Sequence, residues 1–173
     1  MPFHFKSIEN ISEFTQFKSV LIIPCRFCPA ASSSINNNEP YFEFFRKFLK
    51  TDSYERYIGN LKTKLEEEGI RTGIFESKII HQFVLCMWTE KRRKKLLKLT
   101  KEYEALIVLG CEAAVNTVRD AVQSASCKVF QGLETEGIMS IQPRFHLPAN
   151  ISLELQSLTP YICQEKQAIK AYS

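Results

Sequence analysis

Two apolar runs narrow the choice of fold more than any other feature of the chain. They are SVLIIP (Ser19–Pro24) and ALIVL (Ala105–Leu109), and each delivers a cysteine as it ends. A strand wet on one face alternates apolar and polar residues. A run with almost no polar residue suits a strand covered on both faces, which is the condition of a parallel sheet. Ligands of such sheets gather beyond the carboxyl ends of the strands, near the point where strand order reverses. Cys25 and Cys28 follow the first run in PCRFC, and Cys111 follows the second in GC.

The segments between these runs read as strand–helix units. Tyr57, Leu61 and Leu65 share a helical face within 53–68, Gly69 supplies a left-handed C-terminal cap, and RTGIFE (71–76) begins a second strand. Thr89 offers an N-cap for a helix over 90–104. Residues 112–125 form a further helix with Val115, Val118 and Val122 facing the sheet, and KVFQGLE (128–134) a further strand. PAASSSINNNEP (29–40) is polar and turn-rich, the composition of a loop. In YFEFFRKFLK (41–50), Phe42, Phe45 and Leu49 stand at helical spacing. Residues 137–147 and 151–162 each suit an edge strand, broken by Pro143, Pro148 and Pro160.

Repeated strand–helix–strand units imply an α/β fold: a three-layer, Rossmann-like sandwich around a mostly parallel sheet of four to five strands. At 173 residues the expectation is one domain over 1–173, with a cysteine-bearing core at about 18–143 and an edge strand and tail over 144–173. A chain of this length buries roughly two thirds of its unfolded surface and needs no staples. No stretch reaches the ~20 apolar residues of a membrane span. MPFHFKSIEN is not a secretory signal, so a cytoplasmic location and no membrane contact are expected. The six cysteines are then free thiols, packed, metal-binding or reactive, rather than disulfides.

The spacing of Cys25 and Cys28 lets two thiolates grip one ion. Cys111 ends a strand of the same sheet, and Cys86 lies in the irregular stretch after the second strand, which opens on the same edge. Four sulfurs converging there make a Cys₄ site suited to zinc or an iron–sulfur cluster. The helix after Cys111 adds its positive end, which favours the thiolate. Each thiol also has a plainer reading as a small buried hydrophobe, the one expected for Cys127 and Cys163.

The order VLIIPCRFC, VLCMW, YEALIVLGCEAAVNTV and KVFQGLETEGIM resembles the methylenetetrahydrofolate reductase C-terminal family, over about residues 18–143. That family includes a small partner subunit of anaerobic reductases and stand-alone relatives. Cys25, Cys28, Cys86 and Cys111 match its cysteines. Val115, Asn116 and Thr117 match its Val-Gln-Thr, and Leu133, Glu134 and Thr135 its Leu-Asn-Thr. Ser32 stands where the family has a further cysteine, and Glu112 and Ala114 replace glycines after the central one. The resemblance implies an iron–sulfur or zinc site in an accessory protein of one-carbon, methyl-transfer metabolism, partnered with a reductase or methyltransferase. It makes Asn116 and Thr117 cofactor-facing polar groups.

A rival reading makes Cys111 a nucleophile on a strand-to-helix turn, with His81 or His146 as base and Glu112 orienting it. The run EKRRKKLLKLTK offers Lys91, Arg92, Arg93, Lys94, Lys95 and Lys98 as a phosphate strip, with Phe83 or Trp88 to stack on bases. The net charge of +4 is mild, so the expectation is a solvated helix face with Leu96, Leu97 and Leu99 turned inward. A protein partner is expected, and nucleic acid is not.

Overall fold

A computed structural model describes residues 1–7, 11–44, 50–76 and 84–161. The elements are β1 (Pro2–Ser7), β2 (Ser19–Pro24), α1 (Cys28–Asn37), β3 (Phe42–Glu43), α2 (Asp52–Glu67), β4 (Arg71–Ile74), α3 (Glu90–Leu99), β5 (Ala105–Leu109), α4 (Glu112–Ala121), β6 (Lys128–Gln131), β7 (Leu133–His146) and β8 (Asn150–Pro160). The fold is mixed α/β with two sheets. None of its described helices is long and apolar enough to cross a membrane.

The two apolar runs pair with each other at the centre of a four-stranded parallel sheet ordered β4-β2-β5-β6. The chain steps from β2 outward to β4, crosses back to β5 and continues to β6, so strand order reverses between β2 and β5. Alternate residues of these strands serve opposite faces. Val20, Ile22 and Ile107 join Ala30 and Ala31 of α1 and Ile58, Leu61 and Leu65 of α2 in one cluster. Leu21, Ile23, Leu106 and Val108 join Leu96 of α3 and Val115 and Val118 of α4 in the other. Cover on both faces is why neither run could carry the polar half of an alternating pattern.

The second sheet, ordered β1-β7-β8-β3, is antiparallel throughout and corrects the expectation of one mostly parallel sheet. The two segments read as separate edge strands are the arms of one hairpin. Pro143 sits inside β7 opposite Leu153, Pro160 closes β8 opposite Gly137, and only Pro148 falls in the turn. Phe3, Leu133 and Met139 of this sheet are buried in the cluster that α1 and α2 share with the parallel sheet. The two sheets therefore have one interior in common.

Residues 28–37 form α1 where the composition suggested a loop. Pro29 in the first turn costs the helix no hydrogen bond, and Asn38 closes it in the left-handed conformation at φ 52°. Ser32 and Ser34 are buried, with hydroxyls donating to the carbonyls of Cys28 and Glu39. With their hydroxyls engaged, these small residues let α1 lie close to its neighbours. Phe42 belongs to the short strand β3 rather than to a helix, and Phe45 and Leu49 lie outside the described residues. Gly69 does cap α2, at φ 79°, with Ile70 N–H returning to the Leu65 carbonyl.

Candidate functional site

β2 and β5 end side by side. Pro24 pairs with Leu109, and the Cys25 N–H donates to the Leu109 carbonyl at 2.9 Å. Cys25 leaves β2 buried at 4% exposure. Cys28 opens α1, and Cys111 is the N-cap of α4, whose first-turn Val115 N–H donates to the Cys111 carbonyl. The carboxyl ends of the two central strands thus meet the amino ends of two helices, and both helix ends favour negative charge on the sulfurs beside them.

Gly110 makes the crossing possible. A Cβ there would lie 2.7 Å from Ala114 Cβ and 3.3 Å from Cys25 Cβ. Cys86 sits in a single 3₁₀ turn, Leu85–Met87, that packs on α4. The cysteines named from the sequence lie on three segments: Cys25 and Cys28 after β2, Cys86 in the turn that packs on α4, and Cys111 after β5.

Burial pushes the Cys25 thiol up to about 12, against backbone hydrogen bonds from Leu85 and Phe27 that pull it down. Cys28 is pushed up to about 11, by burial first and then by Cys111 and Cys86. Without a cation between them the two thiols stay protonated near neutral pH. Their spacing is electrostatic rather than ligating. Among the described residues no group of three or more Cys, His, Asp or Glu side chains could hold a metal ion as placed. Zinc–sulfur bonds of about 2.3 Å require the sulfurs to rotate and close in.

Two tyrosines flank the thiols. Tyr54, fully buried, donates its hydroxyl to the Leu109 carbonyl at 3.2 Å. Tyr41 buries a hydroxyl that has no hydrogen-bond partner among the described residues, and burial, first of the causes, pushes it above the ordinary phenol range. Sequence reasoning missed both, because an isolated tyrosine carries no motif. Arg26, between Cys25 and Cys28, is 5% exposed and ion-paired with Glu55 at 2.5 Å.

Of the remaining sequence-derived residues, Thr117 is buried and donates its hydroxyl to the Ala113 carbonyl within α4, whereas Asn116 is exposed. Glu112 accepts hydrogen bonds from Thr135 and Gln131, which brings the start of β7 to the rim. His146 lies at the opposite end of β7 from Leu133, against Ser152, and His81 falls outside the described residues. Cys127 is half-buried before β6, and Cys163 is also outside the described residues.

On α3, Lys91, Lys94, Lys95 and Lys98 are exposed, Arg93 is half-buried and Leu96 is buried. Arg92 turns inward over the Phe75 ring, 4.2 Å from its centroid, and Trp88 packs on Phe75 with ring centroids 5.1 Å apart. Trp88 is 8% exposed and cannot stack on a base, and Phe83 lies outside the described residues. Comparison with known protein families, with curated proteins and with solved structures finds no match for this chain.

Proposed function

We propose that this chain is a metal- or iron–sulfur-binding accessory protein, with Cys25, Cys28, Cys86 and Cys111 as the ligands. The observation that supports the reading is the side-by-side ending of β2 and β5 where strand order reverses, with Cys25 and Cys28 following the one and Cys111 the other. An all-thiolate set suits zinc or an iron–sulfur cluster and excludes hard cations, which prefer oxygen. As placed the thiols do not form a metal site, and binding would require the sulfurs to lose their protons and close in on the ion, with the amino ends of α1 and α4 favouring the thiolate forms. A closed Cys₄ zinc site is structural, whereas a cluster would supply electron transfer.

The resemblance to the methylenetetrahydrofolate reductase C-terminal family adds the setting: one-carbon metabolism in the cytoplasm, beside a reductase or methyltransferase. Within that reading the parallel sheet and its four helices form the Rossmann-like three-layer part of one α/β domain. Asn116, exposed on α4, is the polar side chain free to meet a partner or bound group, because Thr117 spends its hydroxyl inside the helix.

The test is elemental analysis of anaerobically prepared protein, with the Cys25→Ala and Cys111→Ala variants alongside. Stoichiometric metal that both substitutions abolish is expected. Sub-stoichiometric metal unaffected by either would remove the reading.

A further inference from the structure

The first turn of α3 holds two cations where a helix favours anions. Aligned peptide dipoles make the amino end positive, so acids are the stabilising residues there. Thr89 is the N-cap but makes no side-chain hydrogen bond to the turn it opens, and Lys91 and Arg92 follow. The one acid of that turn, Glu90, is exposed and lies 3.5 Å from Lys94. Arg92 is the costlier placement. It is 6% exposed, its Nη2 donates to the Glu76 carbonyl at 2.6 Å, and its Nε has no hydrogen-bond partner among the described residues. No described carboxylate pairs with it, and residues 77–83, which link Glu76 to Val84, contain no Asp or Glu. The Phe75 ring, 4.2 Å away, attracts the cation without accepting from the Nε–H. Methionine would pack in the same place with no hydrogen bond left unmade.

Arg92 lines a cavity of about 570 Å³ whose walls also carry Lys91, Lys94, Lys95 and Lys98. That volume lies within the range of ligand pockets, roughly 300–1,000 Å³. A helix amino end, a buried guanidinium and four lysines together attract one class of ligand. We propose that this cavity binds a small phosphorylated molecule, whose phosphoryl oxygens accept from the Arg92 guanidinium and the first-turn N–H groups of α3 while the lysines neutralise it. The ligand is small because α3, at ten residues, runs only about 15 Å, and Trp88, 8% exposed, offers no face to a base. None of these residues belongs to the proposed metal-ligand set, so the inference stands without the metal reading.

Pyrophosphate is the probe, added to the reduced protein at physiological ionic strength and followed by titration calorimetry and thermal unfolding. Binding should raise the Tm, because the ligand favours the folded state. Arg92→Met should weaken affinity roughly tenfold or more, the scale of a hydrogen bond to a charged group, and leave the ligand-free Tm unchanged or higher. Lys91→Gln and Lys95→Gln, both at exposed positions, should each weaken binding roughly twofold to fivefold, whereas Lys64→Gln on α2 should not change it. No heat and no rise in Tm for the parent, or equal affinity in the parent and Arg92→Met, would overturn the inference. So would a ligand-free Arg92→Met protein clearly less stable than the parent, since the guanidinium would then serve the fold itself. A single-stranded oligonucleotide that binds more tightly than pyrophosphate and is indifferent to Arg92→Met would assign the lysines to nucleic acid and overturn it as well.

Discussion

Replacing Gly110 by alanine tests how tightly the rim is closed. The added methyl would lie 2.7 Å from Ala114 Cβ and 3.3 Å from Cys25 Cβ, where relaxed carbon contacts are about 3.5–4.0 Å. Both neighbours are buried and neither is the end of a long side chain, so α4 or the end of β2 must shift by most of an ångström. Gly69 is the described glycine with positive φ, so backbone strain does not enter at Gly110. Overpacking of this kind costs roughly 1–3 kcal/mol, and two close contacts argue for about 2. With a urea m-value of about 2 kcal/mol/M, the unfolding midpoint should fall by about 1 M. The decisive comparison adds Ala114→Gly, which removes the closer contact and by itself costs about 1 kcal/mol of helix propensity. The double variant should be more stable than the sum of the two changes by about 1 kcal/mol or more. Urea unfolding followed by far-ultraviolet circular dichroism, on reduced and metal-free protein, reads all four corners of the cycle. A Gly110→Ala midpoint equal to that of the parent, or strict additivity, would refute the geometry.

Glu55→Ala should cost about 1–3 kcal/mol, because it takes the two-point carboxylate from Arg26, which is 5% exposed and held at 2.5 and 3.2 Å; thermal unfolding checks this, and a shift no larger than that of a surface substitution would contradict it. Burial holds the metal-free Cys25 and Cys28 thiols at about 12 and 11, above the ordinary 9.0, so folding favours the neutral forms. That contribution is whole below pH 9 and drains away as pH rises from 9 toward 11 and 12, and Cys25→Ala should flatten the alkaline fall in urea midpoint. Gly137→Ala would place a Cβ 2.4 Å from the Thr159 carbonyl oxygen and 2.9 Å from Pro160 Cα. Hydrogen exchange should then show protection lost along β8 while β2 and β5 keep theirs.

The parallel sheet was legible because its signal is local and strong: SVLIIP and ALIVL carry their burial on both faces in their own composition. That the chain after β2 runs beside the end of β5 followed from the same runs, once strand order placed β2 beside β5. Helix α1 was hidden because its residues are small and polar, and its cues were positional: Pro29 at one end and Asn38 at the other. The hairpin was hidden for a different reason. Pro143 and Pro160 read as breakers, yet Pro143 lies in a strand whose partner is exposed from Glu154 onward, and Pro160 sits at a strand end. Tyr41 and Tyr54 were invisible, since what matters at each is where one oxygen ends up, and no residue pattern encodes that.

The pairing of β1 with β7 has a consequence for how the molecule assembles. Phe3 stands opposite Gly137, so the first strand waits for a partner more than a hundred residues downstream. Central contacts such as β2 with β5 span less chain and can form earlier, since loop closure becomes costlier with length. During synthesis the opening strand, with its phenylalanine, stays unpaired and exposed to chaperones or to other nascent chains until β7 emerges. The cysteine-bearing strand ends can meet while that strand is still loose.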